Sequence, residues 1–211
     1  FNSLNVTPAA SKAIKFNSNN NGIETGDVGG SLVLISTVTA SSSSTVEFTS
    51  GIDSTYKEYQ VHFTDVHPAS ESHLTVNFRD GSTAYDATKT TTFFHPYHDE
   101  AGSEAYLEYA TGSDLAQSTG AQRLFQGGID NDNDSSVSGI LHLFDPSSTT
   151  FVKHFIAKTQ GVLDVSGNPY SRCGFMAGYC NTTTAIDGVQ FAMASGNIDS
   201  GTFKLYGIKD S

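Results

Sequence analysis

The chain has no tryptophan and only two cysteines, two methionines and five prolines in 211 residues, and each shortage narrows what it can be. Cys173 and Cys180 cannot form the dense disulfide framework that holds small secreted domains together. They lie in Arg172-Cys173-Gly174-Phe175-Met176-Ala177-Gly178-Tyr179-Cys180, an odd number of residues apart. On one strand they therefore face opposite ways, and a bond between them needs a turn at Gly174 or Gly178. Buried free thiols are the expectation, since free Cys is commonly buried; a local disulfide is the alternative. Cationic residues are scarce too: 11 Lys and Arg stand against 22 Asp and Glu, a formal charge of -11. Nucleic-acid binding relies on clustered Lys and Arg that release counterions from phosphates, and no such cluster occurs. No apolar run approaches the roughly 20 residues that span a bilayer, and no basic-then-apolar signal opens the chain, so membrane insertion is not expected. The start at Phe1, without an initiator Met, fits processing or an excerpt of something longer. No helix-period segment exceeds about two turns.

What is present is glycine, serine, threonine and short apolar alternation. Charged residues make up 16% of the chain and hydrophobic ones 37%, a mixture that suits short β-branched strands joined by polar turns. A globule of this size buries roughly 70% of its unfolded surface, so a core forms without covalent staples. From Ser31 onward strands and turns alternate at the spacing of a sandwich or barrel. Residues 31–39 are nearly all apolar or β-branched, and Ser41 to Ser44 form a polar break. In Thr45-Val46-Glu47-Phe48-Thr49, Val46 and Phe48 point inward. Tyr59, Val61 and Phe63 share one face while Gln60, His62 and Thr64 share the other, and Leu74, Val76 and Phe78 repeat the pattern. Residues 83–135 are less regular, with short apolar pieces at 90–94, 105–109 and 123–125 between polar loops. Regular strands return at 137–144, 150–158, 172–180, 186–193 and 201–208, with turns at Asp80-Gly81-Ser82, Asp145-Pro146-Ser147-Ser148 and Ser195-Gly196-Asn197.

Residues 1–30 differ. Phe1 to Pro8 and Ala13-Ile14-Lys15-Phe16 are short extended apolar pieces separated by an Asn-rich stretch, and Gly26-Asp27-Val28-Gly29-Gly30 reads as a hinge. Apolar residues spaced along a polar arm usually dock on their own domain or on a neighbouring subunit. The expected fold is therefore all-β: a two-sheet antiparallel sandwich, jelly-roll-like, over residues 31–211, with an extended N-terminal attachment arm over residues 1–30. An immunoglobulin-like sandwich comes second, disfavoured by the missing Trp and the missing widely spaced Cys pair. No repeat with a period of 20 to 50 residues points to a solenoid or propeller.

Candidate chemistry is sparse. Asp130-Asn131-Asp132-Asn133-Asp134-Ser135 alternates oxygen donors as a calcium loop does, but Ser135 stands where an EF-hand needs Gly and Leu141 where it needs a bidentate Glu. A solvated acidic turn is the simpler reading. His95-Pro96-Tyr97-His98-Asp99-Glu100 gathers donors on what reads as a loop, without the helical spacing of a metalloprotease motif; exposed there, they would suit sugar or protein contacts. His62, His142 and His154 read as sheet-surface residues. No nucleophile elbow occurs, and the Gly-rich stretch at 26–30 precedes a strand rather than following one and opening a helix, as a phosphate loop must. Asn5-Val6-Thr7, Asn133-Asp134-Ser135 and Asn181-Thr182-Thr183 match the glycosylation pattern, which chance explains in a chain this rich in Asn and Thr. No catalytic residue, metal ligand or cofactor site is assigned.

The segments Val6-Thr7-Pro8-Ala9-Ala10-Ser11-Lys12-Ala13-Ile14-Lys15-Phe16-Asn17, Glu24-Thr25-Gly26-Asp27-Val28-Gly29-Gly30-Ser31-Leu32 and Asp53-Ser54-Thr55-Tyr56-Lys57-Glu58-Tyr59 resemble structural proteins of marine tailed bacteriophages. Ile186-Asp187-Gly188-Val189-Gln190-Phe191 and the stretch from Ser195 to Ile208 resemble the endings of the same group. The resemblance covers both ends, with a divergent middle, and its motifs are structural, so it carries over no active-site residue. It implies a non-enzymatic virion protein at the virion surface, part of a tail fibre, appendage or capsid decoration. The implied partners are other virion proteins and further copies of the chain in a homo-oligomer, a trimer being favoured. A lectin-like carbohydrate-binding module that recognises a host-surface glycan is the alternative.

Overall fold

A computed structural model describes residues 12–16, 22–27, 30–165 and 167–209. The chain divides into two compact units, residues 1–31 and 32–211. In the first, β1 (Lys12–Phe16) and β2 (Ile23–Asp27) pair antiparallel, with Lys12 opposite Asp27 and Phe16 opposite Ile23. The segment expected as an extended arm thus holds a two-stranded pairing, with Lys15 and Glu24 in contact at 3.3 Å. The apolar piece at residues 1–8, the Asn5 triplet and residues 28–29 of the expected hinge lie outside the described residues.

The second unit begins with β3 (Leu32–Ser43), β4 (Thr45–Phe48), β5 (Glu58–Pro68) and β6 (Leu74–Arg79). It continues with β7 (Lys89–Asp99), β8 (Ala105–Tyr109), β9 (Gln122–Arg123) and β10 (Val137–Phe144). β11 (Lys153–Val165), β12 (Asn168–Cys180), β13 (Gly188–Met193) and β14 (Ile198–Ile208) complete it, and no helix forms among the described residues. Four antiparallel pairs define the topology. β3 with β14 and β5 with β10 belong to one sheet; β4 with β13 and β6 with β9 belong to the other. These are successive rungs of one long hairpin ribbon that crosses alternately between two sheets, which is a jelly roll. Two insertions modify it. The hairpins β7–β8 and β11–β12 both add to the first sheet beyond β10, giving the order β3-β14-β5-β10-β11-β12-β7-β8 against a four-stranded β4-β13-β6-β9.

Alternation places the core. Across the larger sheet the registered positions Phe93, Met176, Ala157, Leu141, Val61 and Leu205 form one inward row, and all are buried. Val46, Phe48, Val76, Phe78, Val189 and Phe191 of the smaller sheet are buried too. Phe191 of β13 lies 5.8 Å from Phe63 of β5 and 5.1 Å from Phe203 of β14, ring centre to ring centre, and Phe78 of β6 lies 4.7 Å from Phe155 of β11. These aromatic contacts tie sheet to sheet, each ring bringing a large apolar area out of water. Gly139 is small for a packing reason: a Cβ there would fall 2.7 Å from the Phe63 ring and 2.5 Å from the Lys158 carbonyl oxygen.

Several boundaries differ from the sequence reading. The polar residues 41–43 continue β3 instead of breaking it. β11 and β12 run on through residues 159–165 and 168–171 as one long hairpin. Residues 95–99, read as loop, continue the apolar piece at 90–94 as one strand whose inward positions are partly polar: Lys89, Thr91, His95 and Asp99 are buried beside Phe93.

Candidate functional site

Within the second unit no described strand covers the outer face of the eight-stranded sheet. Register fixes what lies on it, because directly opposed residues of antiparallel strands share a face. One row takes a residue from every strand: Tyr109, Phe94, Phe175, Lys158, Ile140, His62, Lys204 and Thr37. The next row runs Thr92, Ala177, Ile156, His142, Gln60 and Tyr206. Read from β8 to β14, the face changes from aromatic and aliphatic to imidazole and ammonium.

The aromatic half lies on the inserted strands. Phe94 and Phe175 stack nearly parallel with centroids 5.0 Å apart, and the Lys158 ammonium sits 5.3 Å from the Phe175 ring. Leu107 is 70% exposed, Tyr109 and Ile156 50%, and Phe94 44%, so a contiguous apolar patch faces outward rather than scattered single residues. Beside it, a hollow of about 480 Å3 is lined by Pro96, His98, Tyr106, Leu107, Ser171 and Cys173, among others.

The polar half lies on the jelly-roll strands β5, β10 and β14. Gln60 bridges two histidines, at 2.9 Å to His142 Nε2 and 2.7 Å to His62 Nε2. The Tyr206 ring packs on His62, centroids 4.8 Å apart. Partial burial, then the charges of His142 and Lys204, hold the His62 imidazole below the ordinary histidine range. A hollow of about 380 Å3 opens between β5, β10 and β11, with Phe63, Gly139 and Ile140 among its apolar lining and His62, Thr64, Ser138, Lys158 and Gln160 contributing polar groups. A second of about 400 Å3, lined by Thr64, Asp65, Thr202 and Lys204 among others, adjoins it at Thr64. His62 and His142 are sheet-surface residues as the alternation predicts, and so is the more exposed His154.

The inner face carries unexpected polarity at both ends of the inserted strands. At one end Lys89, Cys180 and Lys153 are directly opposed on β7, β12 and β11, and all three are fully buried. Lys89 Nζ donates to the Gly120 carbonyl at 2.8 Å; Lys153 Nζ donates to the Phe151 and Thr182 carbonyls at 3.0 and 2.9 Å. Burial draws the Lys89 ammonium down to about 8 and lowers Lys153 as well. Burial also pushes the Cys180 thiol up to about 12, against the pull of the two lysines. Cys173 faces the other way, on the outer surface, and both thiols are free, as the odd spacing requires.

At the other end His95, Tyr97 and Arg172 stack: the His95 and Tyr97 rings lie 5.7 Å apart, with the guanidinium 4.7 Å over Tyr97. His95 Nε2 approaches Glu108 Oε1 at 3.2 Å, but the contact is not aligned as a hydrogen bond, and neither ring nitrogen nor Arg172 Nε has a hydrogen-bond partner. Burial and the neighbouring guanidinium keep the imidazole below its usual range. Asp99 closes the turn after β7, accepting from the Ser103 hydroxyl, the Ser103 and Glu104 amides and the Asn168 side chain, which hold it well below ordinary carboxylates. Of the supposed donor loop 95–100, His95 and Asp99 are therefore internal, whereas Pro96 and His98 line the outer hollow. In the acidic stretch, residues 131–134 are exposed, and the Asp130 carboxylate accepts from the Asn131 amide at 2.7 Å. Among the described residues no three His, Cys, Asp or Glu side chains converge on a point where they could hold an ion.

Sequence reasoning missed the outer face as a unit. Its signal is the apolar residue at nominally outward positions, Phe94, Ile140, Ile156 and Phe175, which becomes a surface only when eight strands are set in register. Compared with models of known families and with curated protein sequences, the chain shows no significant match.

Proposed function

We propose that the chain is a non-enzymatic structural module of a virion surface, from a tail fibre, appendage or capsid decoration, that works in a homo-oligomer through the aromatic half of its open sheet face. The observation that carries this reading is the contiguous patch of Phe94, Leu107, Tyr109 and Ile156, each at least 44% exposed, on an otherwise strongly acidic chain. A molecule with net charge -11 is well solvated and self-repelling, so a patch of this kind is a liability unless a partner covers it. A second copy supplies the same apolar chemistry. The jelly roll supports the assignment in kind, being an architecture of viral capsid and lectin domains, and so does the likeness of the two ends of the chain to phage structural proteins. The patch sits on the inserted strands β7, β8, β11 and β12, which add surface to the basic ribbon without being needed to close it.

Native mass spectrometry or light scattering tests the reading. The wild type is expected to associate at micromolar concentration, a trimer being favoured. The variant Phe94→Asp with Ile156→Lys, which places charges in the patch, is expected to run as a folded monomer with an unchanged β-type circular dichroism spectrum. A wild type that stays monomeric at high concentration, or a double variant of unaltered mass, contradicts the proposal.

A further inference from the structure

We infer that the polar half of the same face, centred on the hollow between β5, β10 and β11, is a binding site for an anionic polysaccharide, a chain of hydroxylated sugar rings carrying carboxylates. The site stands on its own residues and does not depend on the self-association proposed above.

Charge is the first ground. Within a chain of net charge -11, Lys204 and Lys158 lie in one row with His62 and Ile140 between them. Three strand spacings separate the two ammonium groups' backbones, ~14 Å, the scale of a short oligosaccharide. Both lysines are exposed, and neither is within ion-pairing distance of a carboxylate among the described residues. Among the described residues the nearest carboxylates stand at the margins: Glu58 on one side, 3.5 Å from His142, and on the other Asp65, beside Thr64, with Asp199 lining the next hollow. At physiological ionic strength a surface charge acts over a Debye length of roughly 8 Å, so the two lysines, rather than the distant acidic surface, govern what meets this face.

Shape and lining are the second ground. The hollow of about 380 Å3 combines the apolar side chain of Ile140 and the bare backbone at Gly139 with hydroxyl, imidazole, amide and ammonium groups. Apolar walls with a few placed polar groups are the usual form of a small-molecule subsite. A sugar ring matches it, with C–H faces for the apolar side chain and hydroxyls for the polar groups. The His142–Gln60–His62 chain, backed by Tyr206, presents a pre-ordered polar surface along the same strands, which limits the entropy lost on binding. A protein partner would be better served by the aromatic half, where the apolar area is concentrated.

The test is calorimetric titration of the full chain with oligogalacturonate of four to six sugars, alongside a neutral oligosaccharide of equal length and a single-stranded oligonucleotide of equal charge. Saturable binding is expected for the uronide alone, weakening as salt is raised. Lys158→Gln and Lys204→Gln are each expected to weaken it several-fold, and the double variant at least tenfold, with the circular dichroism spectrum unchanged. Leu107→Ser with Tyr109→Ser, neutral changes on β8 at the far edge of the sheet, are expected to leave the affinity within twofold, which separates this site from the assembly patch. Equal binding of the neutral sugar or of the oligonucleotide, undiminished binding by the lysine double variant, or no heat with the uronide at millimolar concentration would each overturn the assignment.

Discussion

At the scale of single residues the least ordinary feature is the buried Lys89–Cys180–Lys153 row, because burying an ammonium without a carboxylate is costly and is normally offset by pairing. Here carbonyl oxygens take that role, and the cost shows in titration. Lys89 titrates near 8 when folded and near 10.5 when unfolded, so above pH 8 the unfolded chain binds more protons and stability rises with pH. Cys180 works the other way: its thiol ionises near 9 in the unfolded chain but only near 12 when folded, so above pH 9 stability is lost as pH rises. The urea midpoint of the wild type is therefore expected to climb between about pH 8 and 9 and then level off. In Cys180→Ala the climb should continue towards pH 10.5, from a lower starting stability because of the cavity. Identical profiles for the two proteins would show that the lysine and the thiol are not coupled to folding in this way.

Among elements, the strands that obey strict alternation are also those readable from sequence. In β5 the buried Tyr59, Val61 and Phe63 alternate with Gln60, His62 and Thr64, and β4 behaves alike; in β6 the apolar Leu74, Val76 and Phe78 alternate with Thr75 and Asn77, which are buried as well. β7 escaped because the loop chain between residues 110 and 125 covers its inward face and supplies hydrogen-bond partners, which lets polar side chains sit inside. Thr91 Oγ1 donates to Gln122 Oε1 at 2.6 Å, Gln122 Nε2 donates to the Ser113 carbonyl, and Lys89 reaches Gly120. No local pattern announces a partner 30 residues away. Gly139 is the position where an element and the candidate site meet. Replacing it by Ala in β10 forces a methyl group against Phe63 and the Lys158 carbonyl, an overpacking expected to cost about 1–3 kcal/mol. Thermal denaturation checks this, and a Gly139→Ala protein as stable as the parent would mean that Phe63 moves freely. Such freedom is not expected of a ring wedged between Phe191 and Phe203.

The second unit, taken whole, is a jelly-roll ribbon with one sheet doubled in width. The all-β sandwich, jelly-roll-like, is legible in the sequence from composition, period-two alternation and turn spacing. The doubling was not legible, since sequence does not say on which edge an inserted hairpin docks. The functional surface was hidden for the same reason: Tyr109, Phe175 and His62 are far apart along the chain and become neighbours in one row only through the order β8-β7-β12-β11-β10-β5. That row joins two chemistries, an aromatic half that we propose meets copies of the chain and a cationic, hydroxyl-lined half that we propose takes sugar. Hydroxyl-radical footprinting read by mass spectrometry, with the protein above and below its association concentration, tests this division directly. Phe94, Tyr109 and Phe175 are expected to lose reactivity on association while His62 and Tyr206 keep theirs. Unchanged oxidation of the three aromatic residues, or protection of His62 and Tyr206 together with them, would contradict it.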